Sequence, residues 1–120
     1  MGATNGKRAR RLRARKRDTA DAELDSLIEE ATVDAYDEDE QRMGFHAVLE
    51  ENVRVPFDTE ILGVAITVER LDVSDEGAIV AVCRRGSARQ AVSILDLPLP
   101  DPAPAGVKWI AAYRRWARRA

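Results

Sequence analysis

Ile61-Leu62-Gly63-Val64-Ala65-Ile66-Thr67-Val68-Glu69-Arg70-Leu71-Asp72-Val73 is where the hydrophobic rhythm of this chain changes. The apolar residues Leu62, Val64, Ile66 and Val68 are all even, whereas Leu71 and Val73 are odd. A period of two marks a strand with one buried face. Its parity cannot switch without an inserted residue, so the pattern predicts a β-bulge or bend near Glu69 and Arg70. Just upstream, Pro56 stops whatever helix precedes it, because proline supplies no N–H and clashes with the preceding turn.

Working downstream, Ser74-Asp75-Glu76-Gly77 reads as a turn, Ala78 to Cys83 as a nearly continuous apolar strand, and Arg84-Arg85-Gly86-Ser87 as a second hairpin turn. Arg89 to Leu95 is a third strand. Three short strands joined by tight turns, one of them bent, predict a small antiparallel meander or SH3-like barrel. Leu97-Pro98-Leu99-Pro100-Asp101-Pro102-Ala103-Pro104 reads as an extended linker, since each proline biases its predecessor away from helical dihedrals. From about Ala105 a closing helix is predicted. Trp109, Tyr113, Trp116 and Ala117 recur on one stripe, with Lys108, Arg114, Arg115, Arg118 and Arg119 on the other sides. Such a stripe docks on the sheet or on other helices; aromatics interleaved with arginines also suit a nucleic-acid platform.

Working upstream, Leu24, Leu27, Ile28 and Ala31 fall at the spacing of one helical face from about Thr19, and Asp18, Thr19 and Asp21 suit the first turn. Thr32 and Val33 are poorer helix formers, which predicts a break near Asp34 to Tyr36. A second helix follows, with Asp37 to Glu40 in its first turn and Phe45, Val48, Leu49 and Asn52 or Val53 as its core stripe. The class expected is α+β: two N-terminal helices, a small antiparallel sheet or barrel, and a C-terminal amphipathic helix.

At 120 residues and 45% hydrophobic the chain is one globular domain, here residues 18 to 120. The net charge of -2 conceals segregation: Lys7 to Arg17 holds eight basic residues, and Asp18 to Glu40 holds eleven acidic residues with no Lys or Arg. Residues 1 to 17 read as a disordered basic arm, because Leu12 is its one large apolar side chain. The arm suits phosphates of nucleic acid or an anionic membrane surface, or the chain's own acidic segment; it also reads as a solubilising tail or an over-extended start. Without a secretory h-region or a long apolar run, no membrane span is expected and a cytoplasmic protein is the default. A single cysteine, Cys83, excludes an internal disulfide and a Cys-rich zinc site. His46, the one histidine, has no nucleophile motif beside it, and no glycine-rich phosphate loop occurs, so a non-enzymatic protein is expected.

What remains is chemistry for a hard cation. Asp37-Glu38-Asp39-Glu40, with Asp34 just before, offers five carboxylates at a helix-helix junction, where side chains can converge rather than splay around one axis. Calcium accepts six to eight oxygen ligands in loose geometry, so it is the expected ion. An EF-hand frame from Asp39 would put Gly44 at the glycine position and Glu50 last, but Met43 and Ala47 fall where side-chain ligands are needed. The candidate ligands are therefore Asp34, Asp37, Glu38, Asp39 and Glu40. Asp72, Asp75 and Glu76 form a second acidic group at a hairpin turn, with the chemistry for a weaker ion, but an ordinary polar turn is the preferred reading.

The series Val33-Asp34-Ala35-Tyr36-Asp37-Glu38-Asp39-Glu40-Gln41, then Met43-Gly44-Phe45, Val48-Leu49-Glu50-Glu51-Asn52, Val55-Pro56-Phe57 and the closing Trp109-Ile110-Ala111-Ala112-Tyr113, resembles the small acidic, non-EF-hand calcium-binding family first recognised in cyanobacteria. The resemblance runs from about Val33 to the end of the chain. It implies a compact α+β domain that binds calcium through surface carboxylates, as an intracellular buffer or sensor, with Asp34, Asp37, Glu38 and Glu40 at matching acidic positions. The basic arm is not part of that pattern, and Arg84, Arg85, Arg89 and the terminal arginines dilute the family's surface acidity. The alternative reading is a non-enzymatic module that engages nucleic acid or an acidic partner through its basic termini. Oligomeric state is left open.

Overall fold

A computed structural model of the chain describes residues 18–119. The basic arm of residues 1–17 therefore lies outside the described residues. Three helices and four strands are present among those described: α1 over 18–31, α2 Glu38–Asn52, β1 Phe57–Ile61, β2 Val64–Val73, β3 Ile79–Arg85, β4 Ala88–Ser93 and α3 Val107–Arg119. The strands form one open antiparallel sheet in the order β1-β2-β3-β4. Of the two arrangements expected, the meander forms and the barrel does not, since the sheet order leaves β1 and β4 at opposite edges.

The parity switch has the predicted cause. The register between β2 and β3 shifts between Val68 and Arg70, leaving Glu69 as the inserted residue. Val68 and Leu71 thereby both reach the core, while Glu69 meets Arg84 and Arg89. The strand count needs correction. What reads as one strand from Ile61 starts with a hairpin: Ile61 pairs with Val64, and Leu62-Gly63 is the two-residue turn, both at positive φ (51° and 77°). Leucine is a poor residue for that conformation, so the turn carries only half of its usual signature, the glycine. β1 was hidden behind it.

The helices cover one face of the sheet, and the core lies between. Leu27 and Ala31 from α1, Phe45, Leu49 and Val53 from the α2 region, Val68, Ile79 and Ala81 from the sheet, and Trp109, Ile110, Tyr113 and Trp116 from α3 form one buried cluster. The aromatic stripe is thus core: Phe45 lies 5.4 Å from both Tyr113 and Trp116 by ring centroids. The proline-rich segment is more than a spacer. Leu97 is buried, Leu99 packs on the core, and the Thr59 hydroxyl of β1 donates to the Pro98 carbonyl at 2.6 Å.

Two glycines let backbones approach where a side chain would not fit. A Cβ on Gly44 of α2 would collide with the Ala31 carbonyl oxygen at the end of α1, and one on Gly106 would collide with the Asn52 carbonyl at the end of α2. Gly106 also has φ +84°. Beside it the Arg54 N–H donates to the Ala105 carbonyl (3.0 Å), fixing the start of α3 on the end of α2.

Candidate metal centre

The acidic stretch is built by the way α1 stops and α2 starts. The Thr32 hydroxyl donates to the Ile28 carbonyl at 2.7 Å, closing the last turn of α1. Asp34 then adopts φ +62°, a left-handed conformation that short polar side chains tolerate best. Asp37 is the N-cap of α2: its Oδ1 accepts the Glu40 N–H at 2.8 Å. Glu40 reaches back, its Oε2 accepting the Tyr36 N–H at 3.1 Å. The first of these bonds satisfies a backbone donor that the first turn of a helix leaves without a partner, and the second ties down Tyr36 just ahead of the cap. Glu38, Asp39 and Glu40 also sit in the first turn of α2, at the positive end of the helix dipole, where acidic residues add to helix stability.

The five candidate carboxylates thus have different occupations. Asp37 and Glu40 hold the cap. Glu38 and Asp39 pair with Arg42, at 3.0 and 3.2 Å. The Asp34 carboxylate makes no hydrogen bond or ion pair among the described residues. Asp34, Asp39 and Glu40 line one shallow hollow of about 380 Å³, walled also by Val33, Met43 and Gly44; Asp37 and Glu38 do not line it. No three carboxylate, imidazole or thiolate groups among the described residues converge closely enough to hold a metal as they stand. The donor set is nonetheless all oxygen, exposed and adjacent, which fits a hard cation with loose geometry and fits no thiolate- or imidazole-seeking metal.

Arg42 is the functional neighbour that the sequence reading passed over. Its signal was present as helical spacing, i,i+4 to Glu38 and i,i+3 to Asp39. Its guanidinium carbon also lies 5.6 Å from the Trp116 ring centroid, and Trp116 Nε1–H donates to Gln41 Oε1 at 2.8 Å. The acidic turn is therefore wired to the C-terminal helix. All positions of the EF-hand-like frame, Asp39 to Glu50, lie inside the continuous helix α2.

The other singled-out residues are placed apart from this hollow. Asp72 accepts from the Val73 N–H at 2.8 Å and lies 3.7 Å from Arg70, and Ser74 closes the following turn with Ala78, so that acidic group reads as a polar turn. His46 Nε2 has no hydrogen bond and lies 3.5 Å from Glu50 Oε1. Cys83 is buried, and desolvation pushes its thiol pKa up, away from reactivity. Three terminal arginines have partners inside the fold. Arg115 and Arg119 hold Asp25 of α1 at 2.9 and 2.8 Å, and Arg114 donates to the carbonyls of Ile94 and Leu97. No described helix is long and apolar enough to cross a membrane.

No curated protein and no solved structure matches the chain. A family model described as calcium binding, Calci_bind_CcbP, matches residues 25–117. That span takes in the second half of α1, the acidic junction, the whole sheet and nearly all of α3, so calcium is the ion implied by chemistry and kinship alike, and the chain belongs to the CcbP calcium-binding family.

Proposed function

We propose that the chain is an intracellular, non-enzymatic calcium buffer or sensor that coordinates the ion through Asp34, Asp37, Glu38, Asp39 and Glu40 at the α1-α2 junction. The observation that carries this reading is Asp34. Its carboxylate is held by a left-handed backbone at the rim of the hollow that Asp39 and Glu40 also line, and it has no partner among the described residues to satisfy its charge. Strain and an unspent carboxylate on the same residue fit a ligand position. Backbone carbonyls and waters complete the shell that calcium requires. A site of other than EF-hand type is supported by the helical course of the Asp39 to Glu50 frame. Cation binding makes Asp39 and Glu38 exchange Arg42 for the ion, and Arg42 touches Trp116, which gives a sensor its readout.

The test is a calorimetric calcium titration of the full chain against a magnesium control. Saturable heat with calcium, weaker with magnesium and lost in an Asp34→Asn/Asp39→Asn double variant, is the expected result. Absence of heat at millimolar calcium, or equal binding by the double variant, overturns the site.

A further inference from the structure

The helices leave part of the sheet's inner face uncovered. Val68, Leu71, Ala81 and Cys83 are buried, but toward the tips of the β1-β2 and β3-β4 hairpins burial gives way through Ile66 and Val64 to Leu62, and an open hollow of about 460 Å³ lies there. The strand register decides which side chains share its face. Gln90 pairs with buried Cys83, and Arg85, two residues beyond Cys83, pairs with Ala88, so Gln90 and Arg85 are both on the inner face. Ile61 pairs with Val64, and Ile66 is two residues on, which brings all three to the same face from β1 and β2. Arg84 and Arg89 pair with one another on the opposite face, where both guanidiniums hold Glu69.

The hollow is therefore divided. Its β1-β2 side is apolar, walled by Ile61, Val64 and Ile66 with Leu62 on the rim, and Val92 and Cys83 line it toward the core. Its β3-β4 side carries the polar groups, Arg85 and Gln90. No carboxylate lines it. Among the described residues the Arg85 guanidinium makes no ion pair and the Gln90 amide no hydrogen bond. An apolar wall facing a guanidinium and a primary amide is the chemistry of an amphiphile site. Covering the wall is favourable in proportion to the apolar area removed from water, and the guanidinium fork matches a carboxylate with two parallel N–H donors.

Leu62 is an independent observation. It is 99% exposed at the tip of the β1-β2 hairpin and holds φ +51°, where asparagine or glycine would be favoured. Exposure and backbone strain both count against a leucine here, and contact with a bound apolar tail accounts for both. We propose that this hollow binds a single-chain amphiphile with an anionic head, of the fatty carboxylate class, taken up as a monomer. Its tail lies across β1 and β2 against Ile61, Val64 and Ile66, with Leu62 closing over it, and its carboxylate meets Arg85 and Gln90. A concave seat of this size takes one chain, whereas a bilayer surface would meet the projecting hairpin tip and leave the floor of the hollow unfilled.

The experiment is methyl and amide NMR of the full chain in calcium-free buffer, titrated with sodium decanoate below its aggregation range, with decyltrimethylammonium, and with phosphatidylglycerol vesicles. The expected result is saturable shifts of the Ile61, Val64, Ile66 and Val92 methyls with decanoate and far smaller ones with decyltrimethylammonium. Arg85→Gln weakens decanoate binding by about tenfold with Tm unchanged, since the side chain is exposed. Leu62→Asn also weakens it without lowering Tm, because asparagine accepts the left-handed turn. No shift of these methyls at millimolar decanoate, an equal response to decyltrimethylammonium, or unchanged affinity in either variant overturns the proposal. A response to vesicles alone overturns it in favour of a membrane surface. Shifts that follow protein concentration, with no response to decanoate, overturn it in favour of a second copy.

Discussion

Asp34 does two things with one residue: it reverses the chain between α1 and α2, and it presents a carboxylate to the hollow shared by Asp39 and Glu40. These roles separate by mutation. Asp34→Gly keeps the backbone and removes the oxygen donors, so calcium affinity falls by roughly tenfold or more for the lost charged ligand, while stability changes by less than about 1 kcal/mol. Asp34→Ala also loses the ion but costs about 1–2 kcal/mol, because an added Cβ resists the left-handed region; paired calorimetry and chemical denaturation distinguish the two. Gly44 is the other residue on which the junction rests. Gly44→Ala pushes a methyl into the Ala31 carbonyl and is expected to cost at least about 1–3 kcal/mol, read as a drop in the denaturation midpoint. The acidity of Asp37 to Glu40 was legible as a helix first turn because capping chemistry is local. The positive φ of Asp34 was not, since aspartate is equally at home in ordinary turns.

Among the elements, α2 is the one the others lean on. Its start carries the acidic turn, its middle puts Phe45 against Tyr113 and Trp116, and its end receives Gly106. Because Arg42 and Gln41 both contact Trp116, calcium binding should change tryptophan emission, and Trp116→Phe should abolish that change while Trp109 still fluoresces. Arg114 on α3 plays the corresponding part for the sheet. Its guanidinium bonds fix the carbonyls of Ile94 and Leu97 after β4, and burial holds its pKa below the usual arginine value. Lysine cannot span two carbonyls in that fork, so Arg114→Lys should destabilise by about 1–3 kcal/mol, measured by urea denaturation. Periodicity revealed the three helices and the bulge, because parity and the helical stripe are properties of the chain itself. It missed β1, whose turn uses leucine, and it missed the anchoring of the proline-rich segment, which depends on Thr59 from another part of the sequence.

For the molecule as a whole, opposite charges are matched across its surface. Hydrogen bonds from Arg115 hold Asp25 below the ordinary carboxylate range against an opposing desolvation, with Arg119 adding to the effect. Glu69 is lowered likewise, by Arg89 first and then Arg84. A carboxyl whose folded pKa is depressed contributes stability that is present above its unfolded value, about 4, and lost as pH falls through the lower folded value. Thermal midpoints should therefore decline on acidification below that point, and Asp25→Asn should flatten part of the decline. High salt should shrink the effect, because these pairs are exposed. The overall α+β layout and the location of the acidic junction were readable from sequence. The pairing of Asp25 with arginines 90 and 94 residues away was not, as nothing local records it. That long-range clasp has a consequence for synthesis. α1 is translated before α3, yet its ionic partners, and the rings of Tyr113 and Trp116 that pack on Phe45, belong to α3. The nascent chain must carry an uncovered apolar stripe until α3 arrives, so the length of its exposure to chaperones is set by how soon α3 is translated.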